Sequence, residues 1–258
     1  MSVFVYFCPN HFRHHCPNTI DTTVRFELTL LSDLVRFLHS VWYLPTKHCF
    51  AIPIYHCSND GFNLYHAIDD LTKYDKSKNI YKWLNLRTLI EAYIKPSQEE
   101  LNDVFYFSAY ATWKPNSHIK HKNYINALKS VGITPILGKF KEKRKTCFHC
   151  QQVLISHEEK ESDVNLCIHL LQNAHLNNFD KAIVVSSDSD MVPVIDMIKN
   201  TFPSKEIVIV VPPNRYSISN EIRSKVTTLK MKEKHIKNNL LPVQVIYNQL
   251  TIYKPTDW

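Results

Sequence analysis

Glycine is scarce in this chain: Gly61, Gly132 and Gly138 are the three among 258 residues. That scarcity excludes glycine-rich phosphate loops, both the G-x-G-x-x-G fingerprint and the Walker A loop, so chemistry must come from side chains. Long apolar runs are also missing. Leu28 to Val41 comes nearest, but Thr29, Ser32, Asp33 and Arg36 interrupt it, short of the ~18 uninterrupted apolar residues of a membrane span. Cysteine is present but unsuited to a disulfide framework. The seven lie at Cys8, Cys16, Cys49, Cys57, Cys147, Cys150 and Cys167, an odd count in a long chain with no signal peptide. The expectation is a reduced, cytoplasmic protein with no membrane contact.

What is present is an ordinary globular composition, 44% hydrophobic and 21% charged, enough for a proper core. Thirty-one Lys and Arg outnumber 24 Asp and Glu, a net charge of +7. That surplus favours an anionic partner, nucleic acid before membrane headgroups. It is concentrated at Lys139, Lys141, Lys143, Arg144 and Lys145, against Glu142 alone in that stretch. A solvated loop explains the same charges equally well.

From about Ala51 onward, strand and helix patterns alternate. Strands are expected at Phe50 to Tyr55, Asp103 to Ser108, Thr134 to Phe140, Lys181 to Ser186 and Glu206 to Val211. Helices are expected at Leu86 to Tyr93, His118 to Val131, Glu161 to Asn173 and Val192 to Asn200. Such alternation implies βαβ crossovers, an α/β class and a mostly parallel sheet flanked by helices. Ser219 to Leu240 reads as a basic helix. The first 48 residues differ, with a Cys8, His11, His15 and Cys16 cluster of no recognisable metal spacing and one helix near Glu27 to Val41. They read as an extension.

The chemistry centres on Lys181-Ala-Ile-Val-Val-Ser-Ser-Asp-Ser-Asp190. An apolar, β-branched run ends in two serines and two carboxylates, Asp188 and Asp190. Carboxylates just past a strand suit a hard divalent cation, which takes oxygen ligands, and ligands of open α/β sheets bind at the strands' carboxyl ends. The competing reading is a helix cap by Ser189 or Asp190, with Pro193 in the first turn. Asp163 is a second signal. It extends the apolar stripe of Leu166, Cys167, Leu170 and Leu171 on one helix face, and a carboxylate there needs a partner. Favouring the helix dipole is its bland alternative. Asn59-Asp-Gly-Phe-Asn63 beyond the first strand is a third, and an ordinary turn by itself.

Together these segments carry a family resemblance. Asp60-Gly-Phe-Asn-Leu-Tyr-His66, Tyr106-Phe-Ser-Ala-Tyr110, His157-Glu-Glu-Lys-Glu-Ser-Asp-Val164 and Ser186-Ser-Asp-Ser-Asp190 resemble the NYN domain family, LabA-like members of the PIN-fold ribonuclease superfamily. The likeness continues through Val211-Pro-Pro-Asn-Arg215 and Lys232-Glu-Lys-His235. It implies a Rossmann-like domain over 49–245 with a Cys/His-containing insertion near 141–160, leaving a tail at 246–258. It further implies Mg²⁺- or Mn²⁺-dependent cleavage of RNA. On that resemblance Asp60, Asp163, Asp188 and Asp190 are the catalytic metal ligands and Asn63 supports Asp60. Ser186 or Ser187 meets a phosphate or orients Asp188, while Lys139, Lys141, Lys143 and Arg144 contact the RNA backbone. One departure stands out: His56-Cys-Ser-Asn59 separates Tyr55 from Asp60, where the family's apolar strand usually runs directly into its Asp.

Cys147 and Cys150 have zinc-knuckle spacing, with His157 a candidate third Zn²⁺ ligand; two free thiols on a surface loop are the alternative. Cys167 reads as core. Tyr110, Trp113 and Phe148 are candidates for base stacking. Three functions compete: a metal-dependent ribonuclease, a non-catalytic RNA-binding module that keeps the fold, and a Mn²⁺ glycosyltransferase with its own Asp-x-Asp. The resemblance favours the first. Homo-oligomerisation is left open by the sequence.

Overall fold

The computed structural model describes residues 47–53, 64–146, 153–217 and 220–258. The N-terminal cluster and helix, Asp60, Asn63, Cys147, Phe148 and Cys150 lie outside the described residues. Six strands form one sheet: β1 (Lys47–Pro53), β2 (Glu99–Ser108), β3 (Ile133–Leu137), β6 (Lys181–Val185), β7 (Glu206–Val211) and β8 (Thr227–Lys230). Their order is β3-β2-β1-β6-β7-β8, and each neighbouring pair is parallel.

The chain thus steps outward from β1 to β3, returns past β1, and continues the other way from β6. This reversal places a topological switch between β1 and β6, where open α/β sheets bind their ligands. Pro53 pairs with Val185, so the described part of β1 reaches the level of the carboxyl end of β6.

The interior strands show why they sit centrally. Ala182 to Val185 and Ile207 to Val211 are buried without interruption, as strands covered on both faces must be. Ile183, Val185, Val208 and Val210 face one core with Val104 and Tyr106. Ala182, Val184, Ile207, Ile209 and Val211 face the other with Phe107. The period-2 alternation of a strand therefore feeds two cores from the same segments.

On the first face lie α1 (Leu64–Thr72), α2 (Leu86–Glu91) and α3 (Pro115–Ser130), contributing Leu64, Ile68, Leu89, Tyr124, Ile125 and Leu128. Asn85 caps α2 by accepting the amides of Arg87 and Thr88 at 3.1 and 3.3 Å. Pro115 opens α3, where its missing N–H costs nothing, and Gly132 at φ 79° follows its end. On the second face lie α4 (Ser162–His175), α5 (Val192–Thr201) and α6 (Asn220–Lys225), with Leu166, Leu170, Ile195, Ile198 and Ile222 inward.

Two antiparallel hairpins stand apart from this sheet. The expected strand from Thr134 to Phe140 is in fact two. β3 ends at Leu137, and β4 (Lys139–Thr146) pairs with β5 (Val153–Lys160). Gly138 marks the break. Its amide donates to Ser108 O at 2.8 Å, and a Cβ there would stand 2.5 Å from Lys160 O. The basic stretch is therefore a strand rather than a loop.

The expected helix from Ser219 to Leu240 is likewise three elements, α6, β8 and α7 (Glu233–Lys237). β7 has an edge to fill, and Thr227 to Lys230 pair with it. Past residue 245 the chain does not trail away. β9 (Gln244–Tyr247) and β10 (Leu250–Tyr253) form a hairpin whose Val245 and Ile252 join the first core. Trp83 Nε1 donates to Pro242 O at 2.8 Å, and Trp258 packs edge-on against Trp83, ring centroids 6.2 Å apart.

Candidate metal and nucleic-acid site

The carboxyl end of β6 builds the site's centre. Ser186 and Ser187 are buried, Asp188 is half-buried and Asp190 is exposed. Ser186 Oγ accepts the Asp188 amide at 3.0 Å. Asp188 Oδ1 then accepts the Asp190 amide at 3.0 Å, capping a 3₁₀ turn, Ser189–Met191, that runs into α5. The cap is Asp188 itself, where the sequence suggested Ser189 or Asp190. Pro193 does fall in the first turn of α5.

Asp163 sits in the first turn of α4. Glu161, the residue before that helix, has φ 79° and makes no side-chain cap, while Ser162 donates its hydroxyl to Glu159. One turn on from Asp163 is Cys167, half-buried and packed against the second core. Its thiol is pushed up to about 11, by burial first and then by the negative charges of Asp163, Asp188 and Asp190. Three of the four carboxylates named from the sequence thus act on one thiol through their charge.

Cys167 packs against the second core, as its place on the apolar stripe implies, and it also feels the charge of Asp163. The i, i+4 spacing from Asp163 was the available signal. Among the described residues no three His, Cys, Asp or Glu side chains are close enough to hold a metal ion by themselves.

The hairpin presents its cations in paired form. Lys143 meets Glu158 at 2.8 Å, Arg144 meets Glu142 at 3.0 Å and Lys139 pairs with Glu161. Lys143 also holds the Glu158 carboxyl below its ordinary range. Lys141 lies opposite Glu158 in the strand register. His157 stacks flat on Trp113, centroids 3.7 Å apart and planes within 5°. Trp113 also meets Phe140 edge-on at 4.6 Å. That aromatic knot fixes the hairpin against the loop before α3. It also engages two residues that the sequence suggested for zinc and for base stacking.

Sequence reasoning missed a second polar cluster. Half-buried His121 on α3 holds the hydroxyls of Tyr106 and Ser108 at its Nε2, at 3.0 and 3.3 Å. Its pKa is pushed down to about 4, chiefly by burial, against the raising effect of Glu159. Other motif residues brace the fold. Arg215 pairs with Asp70 of α1. His235 Nδ1 lies 2.6 Å from the Tyr93 hydroxyl, and Glu233 pairs with Lys78 at 2.8 Å.

The NYN domain family model matches residues 59–229. The chain belongs to the NYN domain family. NYN domains have a PIN-like α/β fold and are in general nucleases. Among solved structures, the NYN chain is similar to a protein of unknown function from Vibrio parahaemolyticus. The two are 15% identical over 76% of this chain and 98% of that one, with a TM-score of 0.48. That likeness is too distant to bear on function. No curated protein matches the chain. Among the described residues, no helix is long and apolar enough to cross a membrane.

Proposed function

We propose that this NYN protein is a metal-dependent ribonuclease, an endonuclease that hydrolyses RNA phosphodiesters at a site of Asp60, Asp163, Asp188 and Asp190. The fold in this reading is Rossmann-like, with a central parallel sheet between two helical layers. The observation that carries the proposal is the placement of Asp188 and Asp190 just past the carboxyl end of β6, beside the switch between β1 and β6, with Asp163 in the first turn of the helix that packs against the Ser189–Met191 turn.

The donor chemistry fits a hard cation, since carboxylate oxygens suit Mg²⁺ or Mn²⁺ and Mg²⁺ keeps several of its own waters. Asp60 and these three carboxylates would hold it. When bound, it lowers the pKa of a water and neutralises charge on the reacting phosphoryl group.

The chain's own residues supply the rest. Ser186 fixes the backbone of Asp188, and the cap from Asp188 to Asp190 sets the two carboxylates in register. Ser187 stands between them and the strand end. Lys139, Lys141, Lys143 and Arg144 bring positive charge on the hairpin. The pairs of Lys139, Lys143 and Arg144 with glutamates lie at the surface, so they are weak and open to exchange for RNA phosphates.

The test is cleavage of a labelled single-stranded RNA pool with Mg²⁺ or Mn²⁺, with and without EDTA. Cleavage that EDTA abolishes supports the reading. RNA binding that EDTA leaves intact, with no cleavage under either metal, replaces it with a non-catalytic RNA-binding module. The segment His56 to Asn59 before Asp60 would then be the first place to look.

A further inference from the structure

At the carboxyl end of β2, on the α1 and α3 face of the sheet, lies a cavity of about 250 Å³. Tyr65, Tyr124 and Trp258 give it aromatic walls, and Asn79, Ser108 and His121 give it polar ones. We propose that it holds one unstacked nucleobase with its ribose, supplied by the same single-stranded RNA that reaches the carboxylates. This rests on the ribonuclease reading and names a feature of its substrate.

Size is the first argument. Pockets for drug-sized ligands run to roughly 300–1,000 Å³, and this one is smaller, suited to a single nucleoside. Chemistry is the second. Unpaired RNA bases are recognised by stacking on aromatic rings and by hydrogen bonds to their edges, and the cavity offers both. The Asn79 amide and the Ser108 and Ser117 hydroxyls can each donate and accept.

Charge is the third. Lys82 is paired with Asp69 at 2.7 Å, and Lys120 is paired with Asp257. His121, its pKa pushed down to about 4, stays neutral near pH 7. The lining therefore has polar groups without an uncompensated cation, which favours a neutral heterocycle over a bare phosphate.

Position is the fourth. In the sheet order only β1 separates β2 from β6. Two strand spacings of about 4.8 Å put the cavity's strand within one or two nucleotides of the strand that carries Asp188.

The experiment is saturation-transfer NMR with adenosine, guanosine, cytidine and uridine, in EDTA, on the full chain. It is repeated on Asn79→Ala and Ser117→Phe, which change a half-buried and an exposed residue. Binding of at least one nucleoside is expected, weakened roughly 3- to 10-fold by Asn79→Ala, as for one lost hydrogen bond, and blocked by Ser117→Phe. Single-stranded RNA added to Asp188→Asn protein should displace the nucleoside.

No binding by any of the four overturns the proposal, as does binding indifferent to both substitutions. Displacement by inorganic phosphate alone overturns it in favour of an anion site. A nucleoside that stays bound beside saturating RNA overturns its assignment to the RNA strand. The two readings fail separately. Metal-dependent cleavage without nucleoside binding removes only the pocket, and nucleoside binding without cleavage removes only the nuclease.

Discussion

Asp188 holds Asp190 in place: its Oδ1 accepts the Asp190 amide hydrogen at 3.0 Å. The same side chain is thus both a helix cap and a candidate metal ligand. The two roles separate by substitution, because asparagine caps as well as aspartate does whereas alanine costs about 1 kcal/mol. Asp188→Asn should melt within error of wild type in thermal denaturation, and Asp188→Ala should melt lower. Equal melting of all three would show that the cap contributes nothing.

The stack of His157 on Trp113 makes a prediction about the hairpin. If stacking fixes it, His157→Phe should preserve protection of the β4–β5 amides in hydrogen exchange, and His157→Ala should lose it. An aromatic pair of this kind contributes about 0.5–1.5 kcal/mol beyond burial. If instead Cys147, Cys150 and His157 bind structural zinc, phenylalanine would loosen the hairpin as much as alanine does. Chelation would then do the same to wild type.

His121 gives the fold a pH dependence with a definite sign. Its folded pKa, about 4, is below its ordinary 6.5, so between those values the unfolded chain binds the additional proton. The stability from neutral His121 is complete above pH 6.5 and declines as pH falls towards 4, by up to roughly 3 kcal/mol. Glu159 facing it moderates the loss, and His118 adds to it. His121→Gln, which cannot titrate, should show a flatter melting temperature between pH 6.5 and 5. Superimposable profiles would contradict the assignment.

The parts legible in the sequence are those where one physical demand dominates. Lys181 to Val185 and Glu206 to Val211 had to be central strands, since continuous β-branched runs need cover on both faces. Asp163 and the Asp188 pair stood out because carboxylates at such places need a reason. The hairpin was hidden because Lys139, Lys141 and Lys143 face solvent, and its partner strand follows only after a connection. Thr227 to Lys230 look helical in the local pattern because the demand that makes them a strand, the open edge of β7, is not local. The approach of α4 to the turn after β6, which brings the charges of Asp163, Asp188 and Asp190 to bear on Cys167, is a tertiary contact that no local pattern reports. Asp60, the carboxylate that the family resemblance puts first, lies outside the described residues.

The central claim is that these carboxylates cut RNA. The most direct measurement compares wild type with Asp188→Asn, purified identically, for cleavage and binding of one labelled single-stranded RNA in Mn²⁺. The account predicts that the substitution abolishes cleavage while RNA binding and melting temperature stay at the wild-type level. Cleavage that persists in Asp188→Asn at the wild-type rate would contradict it.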